Sequence, residues 1–182
     1  MFDDKRSRRL VLVAHCVLNQ NAKLDRCARY PGAIVEVSEA LVREGVGILQ
    51  LPCPELVCLG LDRGSEPGIA TTVEAEDTRI ARRMAEEDSR RTCRNLADGV
   101  IHQIQEYRKH GFEIVGLVGI NGSPSCGVET TWSENHEVEG PGILTKALLE
   151  TPAGGSLRMV GIKASSPNHA IEQVRRLVSR SV

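Results

Sequence analysis

Three cysteines stand where buried parallel strands would bring them together. Cys16, Cys53 and Cys126 each follow a short, continuously apolar run, a pattern typical of a parallel strand covered on both faces. In an open parallel α/β sheet, ligands bind at the carboxyl edge of the strands, because the loops that follow them meet there. We therefore expect the three thiols to converge. Because thiolates are soft ligands, a metal site is the leading interpretation.

The identity of the metal stays open at this point between zinc and an iron–sulfur cluster. Both accept thiolate ligands, but a structural zinc normally takes four ligands in closely spaced pairs, and the sequence has no such pairs. Three thiolates without an evident fourth ligand would leave one coordination position free for a substrate. The alternative is three separately buried thiols, since free cysteine is among the most buried residue types.

Other potential ligands are weaker candidates. Cys93 falls on the apolar stripe of a helix, which predicts core packing. Cys58 could extend the site through its Cys-x4-Cys spacing with Cys53, whereas Cys27 lies in a polar loop. His15 is adjacent to Cys16, and neighbours on a strand point to opposite faces, so we interpret it as a core or hydrogen-bonding histidine.

Composition indicates a globular chain that binds a small molecule. The 182 residues, 41% of them apolar, fit a single domain spanning 1–182. The net charge of −1 favours neither nucleic acid nor an acidic membrane surface. The apolar stretch 10–14 after the basic opening is too short for a signal peptide, so we expect a cytoplasmic protein with reduced thiols. Formation of a homo-oligomer is left open.

The apolar runs and helical spacings predict an α/β fold. Strands are expected at 10–14, 47–51, 114–118 and 157–162. Helices are expected around 34–42 with Gly45 as the stop, across 74–110 as one long or broken helix, at 143–149, and after Ser166 at the N-cap. The prediction is a three-layer domain with a mostly parallel, roughly four-stranded Rossmann-like or flavodoxin-like sheet flanked by helices. Residues 153–156 are interpreted as an ordinary turn.

Two long connections, 52–73 and 121–140, begin where predicted strands end, and such loops commonly carry binding and catalytic groups. Prolines on both sides of Cys53 fix the backbone there, and glycines on both sides of Cys126 allow its loop to bend and expose amides. Gly116, Gly119 and Gly122 lack the dinucleotide-binding spacing, and no P-loop motif occurs. The sequence thus gives no support for a nucleotide cofactor.

Taken together, three segments resemble one family. Cys16-x-Leu18, then Cys53-Pro54-Glu55 followed by Gly60-Leu61-x-Arg63, and finally Ser123-Pro124-Ser125-Cys126-Gly127 are similar to the TudS-type thiouracil desulfidases. The resemblance extends from about residue 10 to the last helix, and Ser-Pro-Ser-Cys-Gly is its most specific motif. It implies that Cys16, Cys53 and Cys126 hold a [4Fe-4S] cluster, whose unligated iron binds the sulfur of a thiocarbonyl substrate.

The chain also departs from that family's pattern. The family has a glycine soon after the first cysteine and a nearby Arg-Tyr-Asp-Gly sequence, whereas here Asn19 follows and the nearest match is the displaced 29–32 segment Arg-Tyr-Pro-Gly. This difference predicts a divergent, TudS-related branch with changed substrate contacts in the first loop.

The resemblance leads us to expect a desulfidase that removes sulfur as sulfide from a thio-nucleobase-like small molecule by hydrolysis, without net electron transfer. Glu55 is the candidate general base or substrate-orienting carboxylate, and Ser123 the candidate hydrogen-bond donor or proton relay. Asn19 and Ser125 are candidate substrate contacts. The structural alternatives are an end-of-strand cap for Glu55 and turn chemistry for Ser123 and Asn19.

Two other functional classes remain open on the sequence. One is an iron–sulfur redox sensor or sulfur carrier without turnover, which would more naturally use a fourth cysteine such as Cys58. The other is a zinc-dependent hydrolase. A colourless, air-stable metal would favour zinc, and a brown, oxygen-sensitive centre would favour the cluster.

Overall fold

A computed structural model describes residues 2–65 and 72–179. Within these ranges the strands are Arg9–Val13 (β1), Gly47–Gln50 (β2), Glu113–Ile120 (β3), Thr130–Ser133 (β4), His136–Glu139 (β5) and Met159–Ile162 (β6). Four of them form one parallel sheet in the order β2-β1-β3-β6, and β4 and β5 form an antiparallel hairpin. This parallel sheet confirms the predicted α/β class and the four predicted strands.

The helices follow the strands in the alternating order that parallel sheets require. They are His15–Leu18 (α1), Val35–Arg43 (α2), Pro54–Leu59 (α3), Val73–Met84 (α4), Glu87–Lys109 (α5), Ile143–Leu149 (α6), Pro152–Gly155 (α7) and Pro167–Val178 (α8), with a 3-10 turn at Gln20–Ala22. Helix α2 ends just before Gly45, whose φ of 64° is the left-handed value expected at a helix stop.

The main core lies between the sheet and its helices. Helices α2 and α8 pack together, with α8 against β3 and β6, while α5 packs with α6 and against β3. Strand β1 is apolar from Leu10 to Val13, and its Val11, Leu12 and Val13 have no exposed surface because both faces of the sheet are covered there. None of the helices within the described ranges is both long enough and apolar enough to cross a membrane.

The stretch 74–110 takes the broken form of the predicted helix, because Glu86 has an extended backbone (ψ 151°) between α4 and α5. Other local expectations needed correction. The turn interpretation of 153–156 was wrong: Thr151 caps a short helix, α7, with its hydroxyl oxygen accepting the N–H of Gly154. The connection 121–140 contains the β4–β5 hairpin, and 52–73 contains α3; residues 66–71 of the latter lie outside the described residues.

Candidate active site

The three predicted ligands lie at the carboxyl edge of neighbouring strands. Cys16 is in α1 directly after β1, Cys53 is the N-cap of α3 after β2, and Cys126 follows β3. Since β2, β1 and β3 are adjacent in the sheet, their loops open on the same side. All three cysteines line one cavity of about 510 Å³, a size that suits a small-molecule ligand.

The Cys53 loop is held by the start of α3. Pro54 occupies the first turn of the helix, where its missing N–H costs no hydrogen bond, and the N–H of Val57 donates to the Cys53 carbonyl (3.1 Å). The backbone N–H groups of Glu55 and Leu56, in the first helical turn, lie close enough to the Cys53 thiol to lower its pKa in part, although burial raises it overall. The kinked segment therefore fixes the thiol and the Glu55 carboxyl together.

The Cys126 loop folds back onto the strand that it leaves. The N–H of Ile120 donates to the Cys126 carbonyl (3.0 Å), and the N–H of Gly127 donates to the Ser123 carbonyl (3.1 Å). The Ser123 hydroxyl oxygen accepts the N–H groups of Ser125 and Cys126 at 3.2 and 3.0 Å. Ser123 thus stabilises the turn, as the structural alternative to a catalytic role predicted, and the same contacts orient its hydroxyl.

Asn121 organises the other side of this loop. Its Oδ1 accepts the N–H groups of Val128, Glu129 and Thr130 at 3.3, 3.2 and 3.4 Å. Its own N–H donates to the Ile162 carbonyl at the end of β6 (3.0 Å). One side chain therefore ties the segment after Cys126 to the edge of the sheet.

Burial and proximity make the three thiols resist ionisation. Burial raises the pKa of Cys16 to about 11, and Cys53 and Glu55 act in the same direction. Burial raises the pKa of Cys126 well above its ordinary value, with Cys16, Cys53 and Glu55 adding to the effect. Burial and Glu55 raise the pKa of Cys53, which the Arg63 guanidinium lowers in part. Each thiolate is thus close enough to oppose the formation of the next.

This donor set fits a cationic centre that offsets the repulsion among three thiolates. Within residues 2–65 and 72–179, no group of three or more His, Cys, Asp or Glu side chains is arranged to hold a metal ion. Cys16, Cys53 and Cys126 nevertheless line the same cavity.

Glu55 connects the Cys53 loop to the Cys126 loop through hydrogen bonds. Its Oε1 accepts the hydroxyls of Ser125 (2.7 Å) and Ser123 (3.4 Å), which are themselves 3.2 Å apart. Its Oε2 accepts the Nε–H of Arg63 at 3.3 Å. The Ser125 hydroxyl oxygen also lies 3.7 Å from the Cys126 sulfur. The structure therefore places Glu55, Ser123 and Ser125 together beside two of the predicted ligands.

Arg63 is the buried counter-charge of this arrangement, with 1% of its side chain exposed. Its Nη1 donates to the carbonyls of Gly60 (2.7 Å) and Leu61 (3.1 Å), and its Nη2 donates to the Ala22 carbonyl (2.6 Å) and the Cys53 sulfur (3.7 Å). Such a fork of fixed donors is available to arginine and not to lysine. Arg63 thereby connects the first loop, the Cys53 loop and Glu55.

Charged side chains of both signs complete the cavity wall. The basic ones are Lys23, Arg26, Arg29, Arg63 and Lys163, and the acidic ones are Glu55, Glu74, Asp77 and Glu137. Lys163 forms an ion pair with Glu137 at 2.7 Å. Burial raises the pKa of Asp77 to about 6, and the nearby Glu55 acts in the same direction.

Two predicted positions lie elsewhere. Asn19 is not part of the described cavity wall; its Oδ1 caps the 3-10 turn by accepting the N–H of Asn21 (3.1 Å), which is the turn role given as its alternative. Cys58 packs beside the buried Cys93 in a second apolar cluster with Ile80 and Met84, instead of extending the thiol set. His15 lines the cavity, and burial lowers the pKa of its imidazole.

Sequence reasoning missed the positions of Asp77 and Cys27 on the cavity wall and the backbone contacts of Asn121. Asp77 lies in a helix that is rich in acidic residues, so the sequence alone does not distinguish it from its neighbours. Cys27 was set aside as a loop residue, although it reaches the cavity wall. The signal for Arg63 was present, since it follows Cys53-Pro54-Glu55 at a fixed spacing within the quoted motif.

Comparison with known proteins gives one informative relationship. No protein-family model matches the chain, and no solved structure matches it. The chain is 36% identical over 123 residues to the protein described as "Uncharacterized protein MJ0003" from Methanocaldococcus jannaschii. The aligned region covers 68% of this chain and 70% of that protein. The chain therefore belongs to the same family as MJ0003.

Proposed function

We propose that this protein is a TudS-related desulfidase that replaces the sulfur of a thiocarbonyl compound with oxygen. The observation that carries the proposal is the shared cavity, where Cys16, Cys53 and Cys126 meet the network of Glu55, Ser123 and Ser125. In the overall reaction, a thiocarbonyl and water give a carbonyl and hydrogen sulfide. Carbon keeps its oxidation state, so the reaction needs no electron donor or acceptor.

The cofactor that fits the three thiols is a [4Fe-4S] cluster held by Cys16, Cys53 and Cys126. When bound, it would supply a Lewis acid for the thiocarbonyl sulfur through an iron atom that no protein ligand holds. The N–H groups of Glu55 and Leu56 and the Arg63 guanidinium lie at the Cys53 sulfur. These donors stabilise negative charge on that sulfur, as contacts beyond the ligands commonly do.

Glu55 is the proposed general base. Arg63 holds Oε2, which leaves Oε1 directed at the two serine hydroxyls and able to accept a proton. A water molecule in the cavity can attack the thiocarbonyl carbon through its oxygen while it loses a proton to Oε1. The proton can move to Oε1 directly or through a serine hydroxyl. Because Arg63 is buried, the carboxylate keeps one orientation for this transfer.

Ser123 and Ser125 have separate tasks. The Ser123 hydroxyl oxygen accepts two backbone N–H groups and can pass its own proton to Oε1. Ser125, with 1% of its surface exposed, donates to Oε1 at 2.7 Å and fixes the position of that oxygen. We therefore assign Ser123 to proton transfer and Ser125 to positioning of the base.

The test is anaerobic reconstitution followed by assays of iron, sulfide and turnover. We expect about four iron atoms per chain and release of sulfide from 2-thiouracil, 4-thiouracil or thioacetamide. Glu55→Gln should keep the iron and lower kcat by about 10²- to 10⁴-fold, the usual contribution of a general base. A fully loaded cluster that releases no sulfide from any thiocarbonyl compound would refute the proposal.

Two cysteine variants separate ligand loss from general damage. Cys126→Ser should lose iron, and its full retention would overturn the ligand assignment. Cys58→Ser is the matched control, because Cys58 packs beside Cys93 in the second apolar cluster. A loss of iron in Cys58→Ser would instead favour a sensor with four thiolate ligands.

A further inference from the structure

Asp77 lies on a wall of the cavity that the proposed mechanism does not use. It belongs to α4, which also contributes Val73 and Glu74 to the lining. The next residue, Thr78, is buried, and its Oγ1 accepts the indole N–H of Trp132 (2.9 Å) while donating to the Glu74 carbonyl (2.8 Å). These contacts join α4 to β4 and fix the part of the helix that carries Asp77.

The neighbouring acids of α4 have partners, whereas Asp77 has none among residues 2–65 and 72–179. Glu76 forms an ion pair with Arg79 (2.7 Å) and accepts the Ser65 hydroxyl (2.9 Å). Glu74 interacts with its own backbone N–H and the Thr72 hydroxyl, which lower its pKa. Asp77 makes no hydrogen bond or ion pair with a described residue.

Half-buried carboxylates without donors are costly, because burial removes water that would otherwise solvate the charge. Burial, together with Glu55, raises the pKa of Asp77 to about 6, so above that pH the side chain is mainly an unpaired acceptor facing the cavity. A ligand N–H can supply the missing hydrogen bond, and bonds to a charged acceptor are among the stronger ones.

We propose that Asp77 determines specificity by accepting a hydrogen bond from an N–H group of the substrate. This inference rests on the proposed desulfidase function and narrows its substrates to thioamide-type compounds, in which an N–H adjoins the thiocarbonyl carbon. Cyclic thioamides such as thio-nucleobases present this N–H on the same ring edge as the sulfur. Asp77 would then orient the ring, while Glu55 accepts a proton from the attacking water.

The test measures binding and turnover separately with the reconstituted protein. The probes are 2-thiouracil, which carries two ring N–H groups, and 1,3-dimethyl-2-thiouracil, which carries none. We expect Asp77→Ala to raise the KM and the calorimetric Kd for 2-thiouracil by about 10- to 100-fold, with kcat little changed. For the dimethyl compound, the wild type and the variant should bind equally weakly.

The control is Asp88→Asn, which makes a similar loss of charge at an exposed site on α5. It should leave both constants unchanged. An unchanged Kd for 2-thiouracil in Asp77→Ala would overturn the inference, as would an equal loss of binding for the dimethyl compound. A fall in kcat with KM unchanged would also overturn it, because that pattern places Asp77 in the chemistry.

The pH dependence provides a further measurement. The charged or titratable groups around Asp77 are Glu55, Lys23, Glu74, Glu76 and Cys27. As pH rises through about 6, Asp77 ionises, so the wild-type affinity for 2-thiouracil should increase there. Asp77→Asn should lack that increase, and its presence at full size in the variant would refute the role of this carboxylate.

Failure of the proposed function gives a different result. If the wild type binds 2-thiouracil in an Asp77-dependent way but releases no sulfide, the desulfidase proposal falls and the role of Asp77 stands. If the wild type releases sulfide and Asp77→Ala does so with the same KM, the desulfidase proposal stands and the role of Asp77 falls. Binding of neither 2-thiouracil nor thioacetamide would overturn both.

Discussion

Replacement of Arg63 by methionine should destabilise the fold and the site together. Arg63 and Glu55 have only 1% and 16% of their side chains exposed, so their ion pair is largely shielded from water. Methionine fills much of the same space but leaves the Glu55 carboxylate without its counter-charge. It also leaves the carbonyls of Gly60, Leu61 and Ala22 without the donors that Arg63 provides.

The expected loss is about 3–5 kcal/mol of unfolding free energy, the range measured when one partner of a buried pair is removed. With a urea m-value of about 2 kcal/mol/M, the unfolding midpoint should fall by about 1.5–2.5 M. The assay is equilibrium urea unfolding of the metal-free protein, followed by circular dichroism. Arg43→Met is the control, because its pair with Glu39 is 73% and 56% exposed and should contribute at most about 1 kcal/mol.

A double-mutant cycle tests whether the loss arises from the pair. In Glu55→Gln the carboxylate charge is absent, so the further change Arg63→Met should cost less than it does in the wild type. The difference should be at least about 1 kcal/mol, as contacting residues usually show. A loss below about 1 kcal/mol for Arg63→Met alone, or simple additivity in the double variant, would refute the reasoning.

Three further outcomes follow from the same structure. Burial and Glu55 raise the pKa of Asp77 from 3.8 to about 6, so the folded state holds this proton more tightly and stability falls as pH rises between these values. Asp77→Asn should therefore melt above the wild type at about pH 7.5 but not at about pH 4, and a lower Tm at pH 7.5 would contradict this. Asn121→Ala leaves three N–H groups without their acceptor and should lose about 1–3 kcal/mol in urea unfolding; a loss under about 0.5 kcal/mol would show that water replaces the side chain. Gly161→Ala places a Cβ against Asn121 Oδ1 and Glu129 Oε2 and should cost a similar amount by overpacking, whereas an unchanged urea midpoint would mean that both side chains move aside freely.

The sheet was predictable from the sequence because each of its four strands contains a short apolar run. The same pattern predicted that Cys16, Cys53 and Cys126 would lie at one edge, since the edge is a property of parallel topology. The predicted strand topology was therefore enough to place the three cysteines at one edge of the sheet, without any prediction of side-chain contacts.

Other features depend on contacts between distant residues and gave no local signal. Ser125 reaches Glu55 across 70 positions, and Arg63 reaches the Ala22 carbonyl across 41. Helix α1 has only four residues, so it is too short for a helical spacing of apolar residues to be recognised. Helices of this length depend on tertiary contacts for their stability. The β4–β5 hairpin combines short, polar strands, so no alternation of apolar residues marks it.

Two of the cavity's carboxyl groups, those of Glu55 and Asp77, lie in opposite surroundings, and this difference is the physical basis for the different tasks that we propose for them. Glu55 has both oxygens bound, one by Arg63 and the other by two serines, so the protein itself fixes where it can accept a proton. Asp77 has a raised pKa and no bound donor among the described residues, so its charge is a cost that a ligand can offset. A group held by the protein suits chemistry, because its geometry does not depend on what enters the cavity. A group left open suits recognition, since the free energy gained on binding depends on whether the ligand carries the matching N–H.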